Sequence, residues 1–321
     1  MNLIDMHCDT IWKFMTGEEP QNLMHNQYSV SIEKLKKAGA AAQFFACFVH
    51  MKQFDGKDRY DQGYQHAIKM LTRLKREVQC YWNDIAMAYN YTGYQRNMAM
   101  GKISAFATIE EGGIIDNDIT RLQVLYDEGV RLLTLLWNDE NCMGYPNSKD
   151  PLIMNRGLKP FGYETIEQMD NLGMIIDVSH LSDGGFWNAV EHSRNPITAT
   201  HSNARALRNH PRNLSDDMIR ALAETGGIAG LNFYQWFLDN SGDSRIEAMT
   251  AHVLHMIQIG GEEVVAIGTD FDGFDFEGET DIPDIGEMWR LAASLKTAGV
   301  TERQLDKIWS GNVQRIIKEV L

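Results

Sequence analysis

The chain has 321 residues, enough for two ordinary domains or one large α/β barrel. Its 44 acidic against 30 basic residues give a formal charge of −14, which repels phosphate backbones and anionic lipid and argues against nucleic-acid or membrane-surface binding. With 44% hydrophobic and 23% charged residues it has the composition of a folded globular protein, which excludes global disorder.

The elements expected along the chain are short apolar runs alternating with stretches of helical period. The N-terminal run covers residues 3–7, and helix is expected at 31–38 before the run 41–49. A long helical stretch lies within 60–91, followed by the run 103–110, helix at 119–128 and the run 130–137. Helix at 161–172 leads to the run 174–180, helix at 184–193 to the run 197–201, and helix at 215–225 to the run 227–234. The helix at 246–259 precedes the last run, 264–270, and helices at 285–298 and 301–320 complete the chain. Gly39, Gly129, Gly173, Gly226 and Gly260 each fall after a helical stretch and before or at a run, where helix-ending glycines belong.

Eight βα repeats with no Pro/Ser-rich linker predict a (β/α)8 TIM barrel, one catalytic domain over residues 1–321. A doubly wound open sheet is the competing architecture, but no GxGxxG or GxxxxGK[ST] follows any run. The N-terminus from Met1 to His7 lacks a basic and an apolar signal region, and no window approaches the roughly 18 apolar residues of a membrane span. Cys8, Cys47, Cys80 and Cys142 form no CxxC pair, so a reducing, cytoplasmic setting is expected rather than a disulfide framework.

Barrel chemistry sits at the C-terminal ends of strands. Five of the eight runs deliver acidic or imidazole side chains there: His7-Cys8-Asp9, Glu110-Glu111-Gly112-Gly113, Asp177-Val178-Ser179-His180, Thr200-His201 and Thr269-Asp270-Phe271-Asp272-Gly273. In extended chain His7 and Asp9 point the same way and Cys8 the other. A lone His-x-Asp is more often a structural pair, but five agreeing rim positions favour a metal site. Imidazole and carboxylate without thiolate suit zinc or another borderline divalent ion, and the set is large enough for two ions.

On these residues, with Arg212-Asn213, Asn232-Phe233-Tyr234 and the 21-residue step from His180 to His201, the sequence resembles the membrane (renal) dipeptidase family of amidohydrolase-type barrels. The resemblance implies that His7 and Asp9 hold one Zn2+, that His180 and His201 hold a second, and that Glu110 bridges them. Glu111 is the alternative bridge; the register to Lys102 and Arg131 favours Glu110. It further implies a dipeptidase in which a hydroxide shared by the two ions attacks, Asp270 is the general acid/base, and Arg212 clamps the carboxylate of a dipeptide substrate, with Tyr234 beside it. A homodimer and tolerance of L-Xaa-D-Xaa dipeptides are also implied. Where mammalian members carry a histidine that helps bind the substrate's reacting group, this chain has Trp137 and Asn138 as the implied substrate contacts, which can donate hydrogen bonds but carry no charge. A zinc amidohydrolase acting on lactams or N-acyl amino acids, or a metal-binding protein with little turnover, are the alternative functions.

Other conspicuous residues have plainer readings. His252 and His255 are expected to pack or face solvent on an outer helix, and Met87, Met98 and Met100 to fill core. Asp272 and Asp275 are expected to cap a loop, and Cys8 to pack.

Overall fold

A computed structural model describes residues 2–16 and 21–321. Nine strands are present among these residues: β1 (Leu3–Cys8), β2 (Ala40–Phe48), β3 (Ile85–Met87), β4 (Ile103–Glu110), β5 (Val130–Thr134), β6 (Ile175–Asp177), β7 (Thr198–Ala199), β8 (Ile228–Leu231) and β9 (Val265–Ile267). Eight of them close into a parallel barrel in the order β1-β2-β4-β5-β6-β7-β8-β9, with β9 pairing back onto β1. The expected (β/α)8 architecture is therefore the observed one.

Alternation along the strands divides the apolar residues into two cores. Ile4, Met6, Phe44, Phe106, Leu132, Ile175, Ile228 and Ala266 make the inner core, in which Phe44 and Phe106 stack at 4.6 Å. The C-terminal helix Asn312–Val320 closes this core from below with Val313, Ile316, Ile317 and Val320. Its first residue anchors it, since Asn312 Nδ2 donates to Val265 O and Glu262 O, both at 2.8 Å. Leu3, Phe45, Cys47, Ile109, Leu133, Ile176 and Leu231 belong to the outer core, packed against the surrounding helices.

The structure corrects several local expectations. The helix expected within 60–91 ends at Cys80, and strand β3 and a further helix, Tyr91–Ala99, follow. Strand β3 pairs with β4 at Ile103 to Ala105, on the edge that β5 occupies only from Ala107 onward, so it fills the lower end of a gap. Met98 and Met100 lie exposed at 40% and 62% and are not core, whereas the half-buried Met87 packs against the outer core. Gly39, Gly129, Gly173 and Gly226 have positive φ as helix-ending residues, but the last such turn falls at Gly261, not Gly260. The C-terminal helical stretch contains a π turn at Lys307–Gly311. No helix among the described residues is long and apolar enough to cross a membrane.

Candidate metal centre

Strand β1 supplies His7 by an irregularity of the sheet. Asp5 pairs with Gln43 and Cys8 with Phe45, so β1 carries one more residue than β2 over this step. Strict alternation from the inward Ile4 and Met6 would turn His7 toward the helices; the extra residue turns it into the barrel and sends Cys8 to the outer core. Asp5 stabilises the bulge by accepting from Thr269 N at 2.8 Å, Thr269 Oγ1 at 2.9 Å and Gln43 Nε2 at 2.9 Å.

His7, Asp9, Glu110, His180, His201 and Asp270 converge at the upper rim. His7 Nε2 lies 3.3 Å from Asp9 Oδ2, 3.4 Å from Glu110 Oε2 and 3.8 Å from Asp270 Oδ1. The other Glu110 oxygen, Oε1, lies 2.9 Å from His180 Nε2 and 3.6 Å from His201 Nε2. Glu110 thus has one oxygen toward each half of the cluster. Three overlapping donor groups result: His7 with Asp9 and Glu110, Glu110 with His180 and His201, and His7 with His201 and Asp270. Glu111 faces elsewhere, accepting from Gly113 N, Trp137 N and Asn141 Nδ2.

The hydrogen bonds around the histidines suit cation binding. Asp177 Oδ2 accepts from Thr200 Oγ1 at 2.8 Å, and the same hydroxyl lies 2.8 Å from His201 Nδ1. A hydroxyl that has given its proton to a carboxylate accepts from the imidazole, which leaves His201 Nε2 as a lone pair. Asn138 Oδ1, 2.9 Å from His180 Nδ1, sets the same tautomer there. The two Nε2 lone pairs then stand 3.0 Å apart with Glu110 Oε1 beside them, and neither can donate to the other, although Arg212 Nη2 lies 3.2 Å from that of His180. Buried His7 Nδ1, His7 Nε2 and Asp9 Oδ1 likewise have no hydrogen-bond partner among the described residues. The buried Asp9 and Glu110 carboxylates, the part-exposed Asp270 and three imidazoles, with donor atoms turned toward one another, fit divalent cations.

The titration behaviour follows from burial and crowding. Burial pushes Asp9 up to about 7, with the Glu110 charge adding to it. Burial likewise lifts Asp270 to about 6. It opposes protonation of His7, but the Glu110 and Asp9 carboxylates outweigh it and hold this imidazole well above its ordinary value. Burial followed by the Arg212 charge brings His180 down to about 4, and burial followed by the His7 charge depresses His201.

A cavity of about 530 Å³ opens above the cluster, and Asp9, Glu110, Trp137, Asn138, His180, Arg212, Tyr234 and Asp270 are among its lining residues. Arg212 is 5% exposed. Its Nη1 donates to Ser179 O, its Nη2 lies 3.2 Å from His180 Nε2, and its Nε has no partner among the described residues. The acidic residues just after it in sequence do not pair with it: Asp216 bonds His255 and Asp217 bonds Arg220. Asp270 takes a left-handed φ of 61° and accepts from Asn232 Nδ2 at 2.8 Å through Oδ2, leaving Oδ1 toward His7. Trp137 meets Phe48 edge-on at 4.9 Å and His50 at 5.2 Å, while Tyr234 packs on Phe237 and Phe274.

Sequence reasoning passed over Asp5, although an aspartate within an apolar strand signals a buried hydrogen-bond hub, and it named Thr200 and the glycines of the rim motifs without giving them a role. Gly273 is the sharpest case. A Cβ there would stand 2.5 Å from Asp9 Oδ2 and 2.6 Å from Asp270 Oδ1, so only glycine lets the two carboxylates approach. His252 is fully buried rather than solvated, accepting from Ala204 N and bonding Leu238 O, and so fixes the loop after His201. Asp272 caps as expected, accepting from Thr10 Oγ1 and Ser29 N.

Known proteins match both the sequence and the fold. The sequence pattern of the family described as membrane dipeptidase (peptidase family M19) matches residues 1–321. An uncharacterized dipeptidase of Schizosaccharomyces pombe is 30% identical over 297 residues, 89% of this chain and 71% of its own. An uncharacterized Klebsiella pneumoniae protein from the pqqA 5' region is 36% identical over 228 residues, 68% of this chain and 82% of its own. A Rhodobacter sphaeroides metallo peptidase, solved with a phosphinate mimic of the dipeptide L-Ala-D-Ala, superposes with a TM-score of 0.89 at 22% identity over 100% of this chain and 99% of its own.

Proposed function

The chain belongs to the membrane dipeptidase family, peptidase family M19, and from that premise we propose that it is a binuclear zinc dipeptidase whose substrates include L-Xaa-D-Xaa dipeptides. Membership makes it a metal-dependent dipeptidase, a hydrolase. The two-ion reading is carried by one observation: Glu110 directs one carboxylate oxygen to His7 and the other to His180 and His201. In this reading His7 and Asp9 hold one ion, His180 and His201 the other, and Glu110 both. Two divalent ions, when bound there, supply positive charge that polarises a scissile carbonyl and acidifies water near neutral pH.

The chain's own residues supply the rest of the reaction. Arg212 offers a planar guanidinium at the cavity wall, suited to the terminal carboxylate of a dipeptide. Burial lowers its pKa to about 10, which still leaves it charged at neutral pH. Asp270, held by Asn232 with Oδ1 free, takes a proton from the attacking water. It delivers that proton to the leaving amine nitrogen as the C–N bond breaks. Trp137 and Tyr234 line the cavity as apolar walls for substrate side chains, and residues 1–321 act as one catalytic unit.

Acceptance of L-Xaa-D-Xaa dipeptides is supported by the dipeptide mimic bound to the Rhodobacter sphaeroides neighbour. Steady-state hydrolysis of L-Ala-D-Ala and L-Ala-L-Ala by the zinc-loaded enzyme tests it. Turnover of the L,D substrate at a kcat/KM no lower than the L,L substrate is expected, and strict L,L preference would overturn the assignment.

A further inference from the structure

Strand β4 ends at Glu110, which joins the imidazole cluster, and a second glutamate, Glu111, follows it without joining. Glu111 is turned away by a backbone at φ 86° and ψ 75°, a left-handed conformation that costs any residue but glycine some strain. Its buried carboxylate accepts from Asn141 Nδ2 at 2.7 Å, Gly113 N at 2.8 Å and Trp137 N at 3.0 Å. Three donors on two oxygens make this a full anchor.

The strap it anchors, residues 137–147, runs along the rim to His180. Asn141 stiffens the strap, its Oδ1 accepting from Met143 N and Gly144 N while its Nδ2 also donates to Leu135 O. Near one end Asn138 Oδ1 accepts from His180 Nδ1. At the other, Asn147 N and Nδ2 both donate to His180 O, at 2.9 and 3.1 Å, and Pro146 bridges to Leu181. One strap therefore holds His180 by ring and by backbone. The double glycine belongs to the same device, because a Cβ at Gly113 would lie 2.4 Å from Glu111 Oε1 and 2.8 Å from Asn141 Cβ.

We propose that Glu111 is a positioning residue for His180: by fastening the strap it keeps Asn138 on His180 Nδ1 and so keeps Nε2 free toward Glu110 and His201. The neighbouring glutamates thus act on one imidazole from two sides, Glu110 directly and Glu111 through the strap. The proposal rests on the reading of His180 as a metal ligand.

The test uses the metal-loaded protein with 15N-labelled histidine. The His180 Nδ1–H resonance is assigned by its loss in His180→Ala. Glu111→Gly removes the carboxylate and relieves the left-handed strain together, so it is expected to fold, with Glu111→Gln as the conservative partner retaining one acceptor oxygen. In Glu111→Gly the Nδ1–H proton is expected to exchange with water at least about tenfold faster, and half the metal to leave at roughly tenfold lower chelator concentration. Asn138→Ala should reproduce both changes, the double variant should add nothing further, and Glu111→Gln should fall between. Wild-type exchange and chelator resistance in Glu111→Gly would overturn the proposal. If His180→Ala binds as much metal as the wild type, the ligand reading of His180 fails instead, and the Nδ1–H signal of Glu111→Gly still decides what Glu111 does.

Discussion

Asp270 shows how much one residue's surroundings determine. Burial raises its pKa to about 6, Asn232 occupies one oxygen, and a left-handed backbone presents the other to the cluster. Asp270→Asn preserves shape and the Asn232 contact through its amide oxygen but cannot carry the proton. Its kcat is expected to fall by about 10²–10⁴ with metal content unchanged; near-normal kcat at full metal loading would remove Asp270 from proton transfer. Arg212→Lys replaces a fork by a point charge, and KM for a dipeptide should rise roughly 10- to 100-fold, the size of one or two lost charge-assisted hydrogen bonds. An unchanged KM would place the carboxylate elsewhere. His252, away from the cluster, governs stability. Burial lowers its pKa from 6.5 to about 4 in the folded chain. Between those values the unfolded chain binds the extra proton, so stability falls as pH drops through this window, by up to about 1.4 kcal/mol per pH unit. Urea unfolding at pH 7 and pH 5 should show that loss, and His252→Gln should flatten it.

At the scale of elements, the site depends on departures from regular structure. Gly273→Ala brings a methyl within 2.5 Å of Asp9 Oδ2 and 2.6 Å of Asp270 Oδ1. It is expected to lower metal affinity by about tenfold or more while the melting temperature of the metal-free protein changes little; metal titration by calorimetry checks this. Such departures are also where sequence reading stopped. The eight strands and the order of their rim residues were legible, because short continuous apolar runs that alternate with helical periods and follow glycines mark strands buried on both faces. The bulge in β1 was not, since it needs the register of β2, and Cys8 reaches its outward position only through that bulge. Strand β3 was hidden inside a helical period, because three residues carry too little pattern to interrupt one. The register to Lys102 and Arg131 favoured Glu110 over Glu111, but the left-handed φ of Glu111 that turns it aside was not legible. Trp137 and Asn138 read as substrate contacts; Asn138 does line the cavity, but its amide oxygen also serves His180.

Over the whole molecule, the barrel closes by pairing β9 near the C-terminus with β1 at the N-terminus, and His7 and Asp270 meet across that seam. Folding therefore assembles the cluster across a sequence separation of 263 residues and brings the buried Asp9 and Glu110 carboxylates together with the part-exposed Asp270. Bound cations offset that repulsion, so part of the −14 charge is matched by the site's own ions. Because the folded state alone presents the assembled donors, ligand linkage stabilises it, by about 2.7 kcal/mol at a hundredfold excess over Kd. Chelation should lower the melting temperature and zinc should restore it. The most direct measurement of the central claim is an anomalous difference map at the zinc edge from crystals grown with zinc. The account predicts two peaks, one contacting His7 and Asp9 and one contacting His180 and His201, with Glu110 between them. A single peak, or a bridge formed by Glu111, would contradict it.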